Sequence, residues 1–167
     1  MQLNWAHIHL ILNHIPLIGV GFTILLFIIA LIRNSKELIN VSLIFTIIVA
    51  LWAIPAYLTG EPAEEIVEEL PGISENLIKQ HEEMAEKAFI FLEVVGALAL
   101  VTLIVKRYSQ KLAAWLMSVT LLGLIAGVGM IAWTANLGGR INHPEITSNA
   151  VNYKATSIQR EKEGDED

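Results

Sequence analysis

Five histidines are the residues of this chain best suited to chemistry, because imidazole is a common ligand of metal ions and of haem iron. His7, His9 and His14 lie near its beginning, His81 near its middle and His143 in its last quarter. If intervening helices cross a membrane in alternate directions, these positions all reach the same end of a bundle. The sequence therefore predicts a histidine site at one end of a helical bundle.

Four apolar stretches position these histidines: Trp5 to Ile32, Leu38 to Leu58, Met84 to Val105 and Leu112 to Leu137. Each is close to the ~20 residues that cross a bilayer as a helix, and none has the alternation of barrel strands. The 54% hydrophobic content and the mean hydropathy of +0.55 also argue against an ordinary soluble domain. We expect an all-α, integral membrane four-helix bundle over residues 1–146, followed by a polar, mobile tail over 147–167.

Two short turns carry the cations that orient the bundle. Arg33 and Lys36 follow the first stretch, and Lys106, Arg107 and Lys111 follow the third. Lys and Arg concentrate in cytoplasmic turns, so the opposite end, with both termini and the histidines, is predicted on the periplasmic side of a bacterial inner membrane.

The loop between the second and third stretches is long and acidic. Ile66, Val67 and Leu70 lie at helical spacing between two prolines, which predicts a short amphipathic helix over the histidine end. The alternative is a solvated acidic loop with no special role.

The histidines of the first helix cannot all bind one atom. At ~100° per residue, His9 and His14 point about 140° apart, whereas His7 and His14 share a face. His7 adjoins Trp5 and suits an interfacial anchor. His14, inside the apolar run and two residues before Pro16, is the favoured ligand because an unpaired polar ring there is costly.

The segment after the fourth stretch supplies another ligand candidate. Gly138 and Gly139 are predicted to end the helix and to turn the chain back over the histidine end. Arg140 and His143 follow, three residues apart. The preferred ligand pair is His14 with either His81 or His143, although His81 is equally well explained as a solvated residue.

A haem b pocket is the leading interpretation of these residues. Cysteine is absent, which excludes thiolate ligands and covalent haem attachment. Arg140 could meet the haem propionates, and the predicted aromatic walls are Trp5, Trp52, Tyr57, Phe89 and Trp133. The alternatives are a copper, zinc or iron ion held by the histidines with Glu61, Glu65 or Glu82, and a cofactor-free scaffold subunit.

Two further features concern the interior of the bundle. Glu93 is an intramembrane carboxyl group, which suggests either a proton relay or a hydrogen bond to a neighbouring helix. Small residues, namely Gly19, Gly96, Ala99, Gly123 and Gly127, predict close helix packing, with a dimer face as the alternative.

The motif His9-x-x-x-x-His14-x-Pro16, a histidine before the third helix and Leu137-Gly-Gly-x-x-x-His143 together resemble an uncharacterised family of small four-helix bacterial membrane proteins. Its members look like stand-alone subunits or membrane domains joined to c-type cytochrome modules. The resemblance covers about Trp5 to Ile146. It implies a redox role and ligands among His9, His14, His81 and His143.

These observations predict a membrane electron-transfer subunit that binds haem b. A cytochrome c or a quinol-oxidising respiratory complex is the expected partner. The net charge of −6 and the lack of a basic patch argue against nucleic acid. The sequence has no nucleophile triad, phosphate loop or paired catalytic carboxylates, so enzymatic activity by this chain alone is not predicted.

Overall fold

The computed structural model describes residues 4–70 and 73–142, and within these ranges the chain is helical with no strand. The helices are α1 (Trp5–Leu12), α2 (His14–Ile32), α3 (Lys36–Leu58), α4 (Gly60–Glu68), α5 (Glu75–Val105) and α6 (Gln110–Asn142). They provide four segments long and apolar enough to cross a membrane: Trp5–Ile32, Lys36–Glu68, Glu75–Val105 and Gln110–Ile141. The predicted all-α class and multi-pass membrane topology are confirmed. His143 and the predicted tail lie outside the described residues.

Large apolar side chains cover the outside of the bundle and also fill its core. Phe27, Leu43 and Leu124 are buried in a core shared by α2, α3, α5 and α6. Ile18 and Leu122, by contrast, are each 66% exposed on the outside. Helices that are hydrophobic all round are typical of membrane spans, so lipid covers the outer faces.

Small residues let the helices of the bundle approach closely. A Cβ added at Gly96 on α5 would lie 2.5 Å from the Cβ of Ala50 on α3. A Cβ added at Gly19 on α2 would lie 2.7 Å from a methyl group of Val49. The predicted close packing at these glycines is present, and it lets side chains of α3 lie directly against the backbones of α2 and α5.

The first apolar stretch is interrupted. Although we expected one helix over it, α1 ends at Leu12 and α2 begins at His14, with Asn13 in a turn between them. Pro16 provides the physical reason, because it has no N–H for the carbonyl of Leu12 and its ring crowds that carbonyl.

The end of the bundle opposite the histidines is here called the basic end and holds Arg33, Lys36, Lys106, Arg107 and Lys111. Its first turn is tight because Asn34 adopts a left-handed conformation with φ of 47°. In its second turn, Lys106 donates a hydrogen bond to the side-chain oxygen of Asn40. Burial lowers the pKa of Lys106, and nearby Lys36 lowers it further, while Glu37 acts in the opposite direction.

The predicted amphipathic helix is confirmed as α4. Thr59 is the one turn residue between α3 and α4, which begins at Gly60. The helix packs mainly against α1. Ala63 is its buried residue, and Glu61 and Glu65 face outward. This arrangement ties α1 to the end of α3, at what is here called the histidine end.

Replacing Gly96 with alanine should destabilise the bundle by about 1–3 kcal/mol, because the new methyl group overlaps Ala50 between two packed backbones. Unfolding in mixed detergent micelles measures the effect. Gly21→Ala is the matched control, since a Cβ at Gly21 meets nothing within 4 Å. The same loss of stability in both variants would contradict the packing assigned to Gly96.

Candidate functional site

Two histidines that are 72 residues apart in the sequence meet at the histidine end. His9 extends from α1 and His81 from the second turn of α5, and both rings are partly buried. Their centroids lie 6.5 Å apart with the ring planes at 90°. The structure therefore brings together two of the predicted ligands, in a pair that we call the His9–His81 pair.

Backbone carbonyl groups fix both rings of the pair. Nδ1 of His9 lies 3.1 Å from the carbonyl oxygen of Ala56, and Nδ1 of His81 lies 2.9 Å from that of Thr134. A carbonyl oxygen can only accept, so Nδ1 is the protonated donor nitrogen in each ring. Nε2 of each imidazole is then the nitrogen with the lone pair that binds metals.

Thr59 reinforces the arrangement around His9. Its hydroxyl oxygen lies 3.0 Å from the carbonyl oxygen of Ala56 and 3.2 Å from Nδ1 of His9. The hydroxyl group thus bridges the end of α3 to the ring. The sequence carries no signal for the roles of Ala56 and Thr134, because a residue of any type supplies a backbone carbonyl.

A glycine leaves space for the ring of His81. A Cβ at Gly138 would lie 3.0 Å from Cε1 of His81, whereas a Cβ at Gly60 would make an ordinary contact, at 3.8 Å, with Cε1 of His9. The prediction that Gly138 and Gly139 end the fourth helix is wrong, since α6 continues through both to Asn142. Gly138 instead allows the backbone of α6 to approach the imidazole of His81.

Among the described residues, no hydrogen bond or ring contact joins the other predicted site residues to the pair. The ring of His14 is exposed, and its Nδ1 lies 2.7 Å from the carbonyl oxygen of Leu10 in the preceding turn. His7 is exposed and bonds to the α1 capping residue Asn4, with 2.9 Å between Nδ1 and Oδ1. Arg140 lies partly buried in the last turn of α6.

The aromatic residues predicted to line a pocket differ in their surroundings. Trp5, Trp52 and Trp133 are about half exposed, and their role as pocket walls stays a prediction. Tryptophan is enriched where a membrane surface meets water, which accounts for an outward orientation. Tyr57 and Phe89 do stack on each other, with centroids 4.4 Å apart.

The donor set of the pair is small. Within residues 4–70 and 73–142, no three His, Cys, Asp or Glu side chains are placed to hold a metal ion together. Glu65, predicted to assist, lines an open acidic pocket with Glu68, Glu69 and Glu75. A protein site for a bare zinc ion uses three or four ligands, whereas haem brings its own four nitrogens and needs one or two. The two imidazoles of the pair are therefore enough in number to hold a haem.

Comparison of the chain with protein-family models, curated proteins and solved structures finds no match. The resemblance of the histidine motifs to a family of four-helix membrane proteins therefore stays a prediction.

Replacing Gly138 with valine should displace the His81 ring from the carbonyl of Thr134, because the added side chain begins 3.0 Å from Cε1. The Nδ1–H signal of His81 in ¹⁵N NMR spectra should lose its protection from solvent exchange. Gly139→Val is the matched control, since a Cβ there meets nothing within 4 Å. An unchanged His81 signal in Gly138→Val would contradict the close approach of α6.

Proposed function

We propose that this protein is a b-type cytochrome-like electron-transfer subunit of a membrane, in which His9 and His81 hold haem. The observation that supports this function best is the His9–His81 pair itself. Both Nδ1 atoms are engaged by carbonyl oxygens, at 3.1 and 2.9 Å, which leaves both Nε2 atoms available as ligands. Histidines that bind metals usually donate their other ring N–H in this way.

The separation of the rings supports a shared ligand. An ion bound by two imidazole nitrogens at about 2.0–2.1 Å, with roughly 1.2 Å from each nitrogen to its ring centre, would place the centroids about 6.4–6.6 Å apart when the three are in line. The centroid distance of 6.5 Å lies within that range. One metal centre between His9 and His81 is therefore compatible with the spacing of the side chains.

Haem bound there would supply one-electron chemistry, and the chain would position and tune it. The carbonyls of Ala56 and Thr134 hold the tautomer of each imidazole and make Nε2 a stronger donor. Thr59 holds the same carbonyl that orients His9. Such outer contacts are among the means by which a protein sets a reduction potential.

The charge distribution supports an orientation. The basic end fits the cytoplasmic side of a bacterial inner membrane, and the His9–His81 pair would then face the periplasm. The segment from α4 to the start of α5 is acidic and includes Glu61, Glu64, Glu65, Glu68, Glu69, Glu75, Glu82 and Glu83. It would attract a basic partner, such as a periplasmic cytochrome c, or the equivalent subunit of a quinol-oxidising complex.

An optical spectrum of the protein purified in detergent, before and after dithionite, tests the function. We expect a reduced α-band of the b type and iron in elemental analysis at one atom per chain. A spectrum without visible bands would overturn the haem assignment. Bound copper, zinc or iron would then favour an ion site, and a metal-free protein would favour the scaffold role.

Alanine variants of the histidines test which rings bind haem. His9→Ala and His81→Ala should each lose most of the bound haem, because each removes one of the two imidazole nitrogens that would hold it. His7→Ala and His14→Ala are the matched controls, since both rings are exposed and bonded within their own turn of the chain. The ratio of haem to protein is the measurement, and haem loss confined to His14→Ala would refute the His9–His81 pair.

A further inference from the structure

Glu93 occupies a central position in α5. It lies twelve residues after His81 and twelve before Val105, the last residue of the helix. At 1.5 Å per residue, both distances along the axis are about 18 Å. The carboxyl group is thus attached midway between the histidine end and the basic end.

The contacts of the neighbouring turns place Glu93 against α3. One turn earlier, Phe89 stacks on Tyr57 of α3, and about one turn later Gly96 packs on Ala50. Phe89, Glu93 and Gly96 follow the spacing of a single helix face. Glu93 therefore projects towards the stretch of α3 between Tyr57 and Ala50.

The side chain has no compensating group there. Glu93 is half-buried, and its Oε1 atom is buried with no hydrogen-bond partner among residues 4–70 and 73–142. In the sequence, α6 has no titratable residue between Lys111 and Arg140, and α2 has none after His14. In the half of α3 nearer the histidine end, the only titratable residue is Tyr57, which lies about one turn from Glu93.

An ionised carboxylate in this position would lack both a cation and a full set of donors, whereas a protonated one would not need them. The protonated form also gains a donor. Pro55 of α3 has no N–H, so the carbonyl of Leu51 lacks its usual helical donor. Leu51 lies within one helical turn of Glu93 along the axis of the bundle. That carbonyl is a suitable acceptor for the carboxyl O–H.

We propose that Glu93 is a proton-binding site in the middle of the membrane, a carboxyl group that holds a proton in the resting protein. The site follows from the buried Oε1 atom, the position in α5 and the lack of cations on the facing helices. It does not depend on the cofactor of the His9–His81 pair.

Dicyclohexylcarbodiimide tests the site in the full-length protein in lipid vesicles, because this apolar reagent reacts with neutral carboxyl groups inside membranes. The acid O–H proton moves to a nitrogen of the reagent while a carboxyl oxygen bonds to its central carbon, and rearrangement gives a stable acylurea with no leaving group. Mass spectrometry should find this adduct at Glu93, and it should be lost in Glu93→Gln.

Glu86→Gln is the matched control, since Glu86 is exposed on the same helix two turns nearer the histidine end. It should keep the adduct at Glu93. A water-soluble carbodiimide should instead label the acidic surface and leave Glu93 unmodified.

Infrared spectra of the unlabelled wild-type protein provide a second measurement that needs no variant to fold. We expect the C=O stretching band of a protonated carboxyl group at neutral pH, and its absence from folded Glu93→Gln. Wild-type protein with neither the adduct nor the band would overturn the proposal.

Discussion

The absence of water inside a bilayer is the constraint on which the polar structure of this protein depends. The buried hydroxyl groups of the helices each donate to the carbonyl four residues earlier in the same helix; they belong to Thr23, Ser42, Thr46, Thr102 and Thr120. His9 and His81 follow a related rule, but the carbonyls that they use belong to other helices. Their hydrogen bonds therefore link α1 to α3 and α5 to α6, and the two rings hold the histidine end together.

The same constraint explains where local rules of sequence fail. Gly138 and Gly139 are suited to ending a helix in water, where exposed carbonyls can be hydrated. Here α6 continues through both, so their carbonyl and N–H groups remain in a helical segment, and the missing side chain of Gly138 serves the approach to His81. Pro16 has the reverse effect, since it interrupts the helix near the histidine end rather than in the middle of a span.

The sequence was sufficient to predict the helical class, the four spans and α4, because these depend on the length and polarity of whole segments. It was not sufficient to predict which histidines meet. Ile18 faces outward and Val20 is fully buried, yet both are aliphatic, so periodicity does not distinguish the lipid face from the core. The preference for His14 rested on its depth in the apolar run, whereas His9 is the ring that faces into the bundle.

The distance between the two proposed sites limits how strongly they can influence each other. Glu93 lies about 18 Å along α5 from His81, and two unit charges at that separation interact by about 1 kcal/mol at an effective dielectric constant near 20. An electron added at the His9–His81 pair would therefore change the proton affinity of Glu93 only about fivefold through space. Tighter coupling would require a rearrangement of the packed contacts between them, and the stack of Phe89 on Tyr57 is the contact that lies between the two levels. Without such a rearrangement, the proposed electron transfer at one end and the proposed proton binding at the centre would be nearly independent of each other.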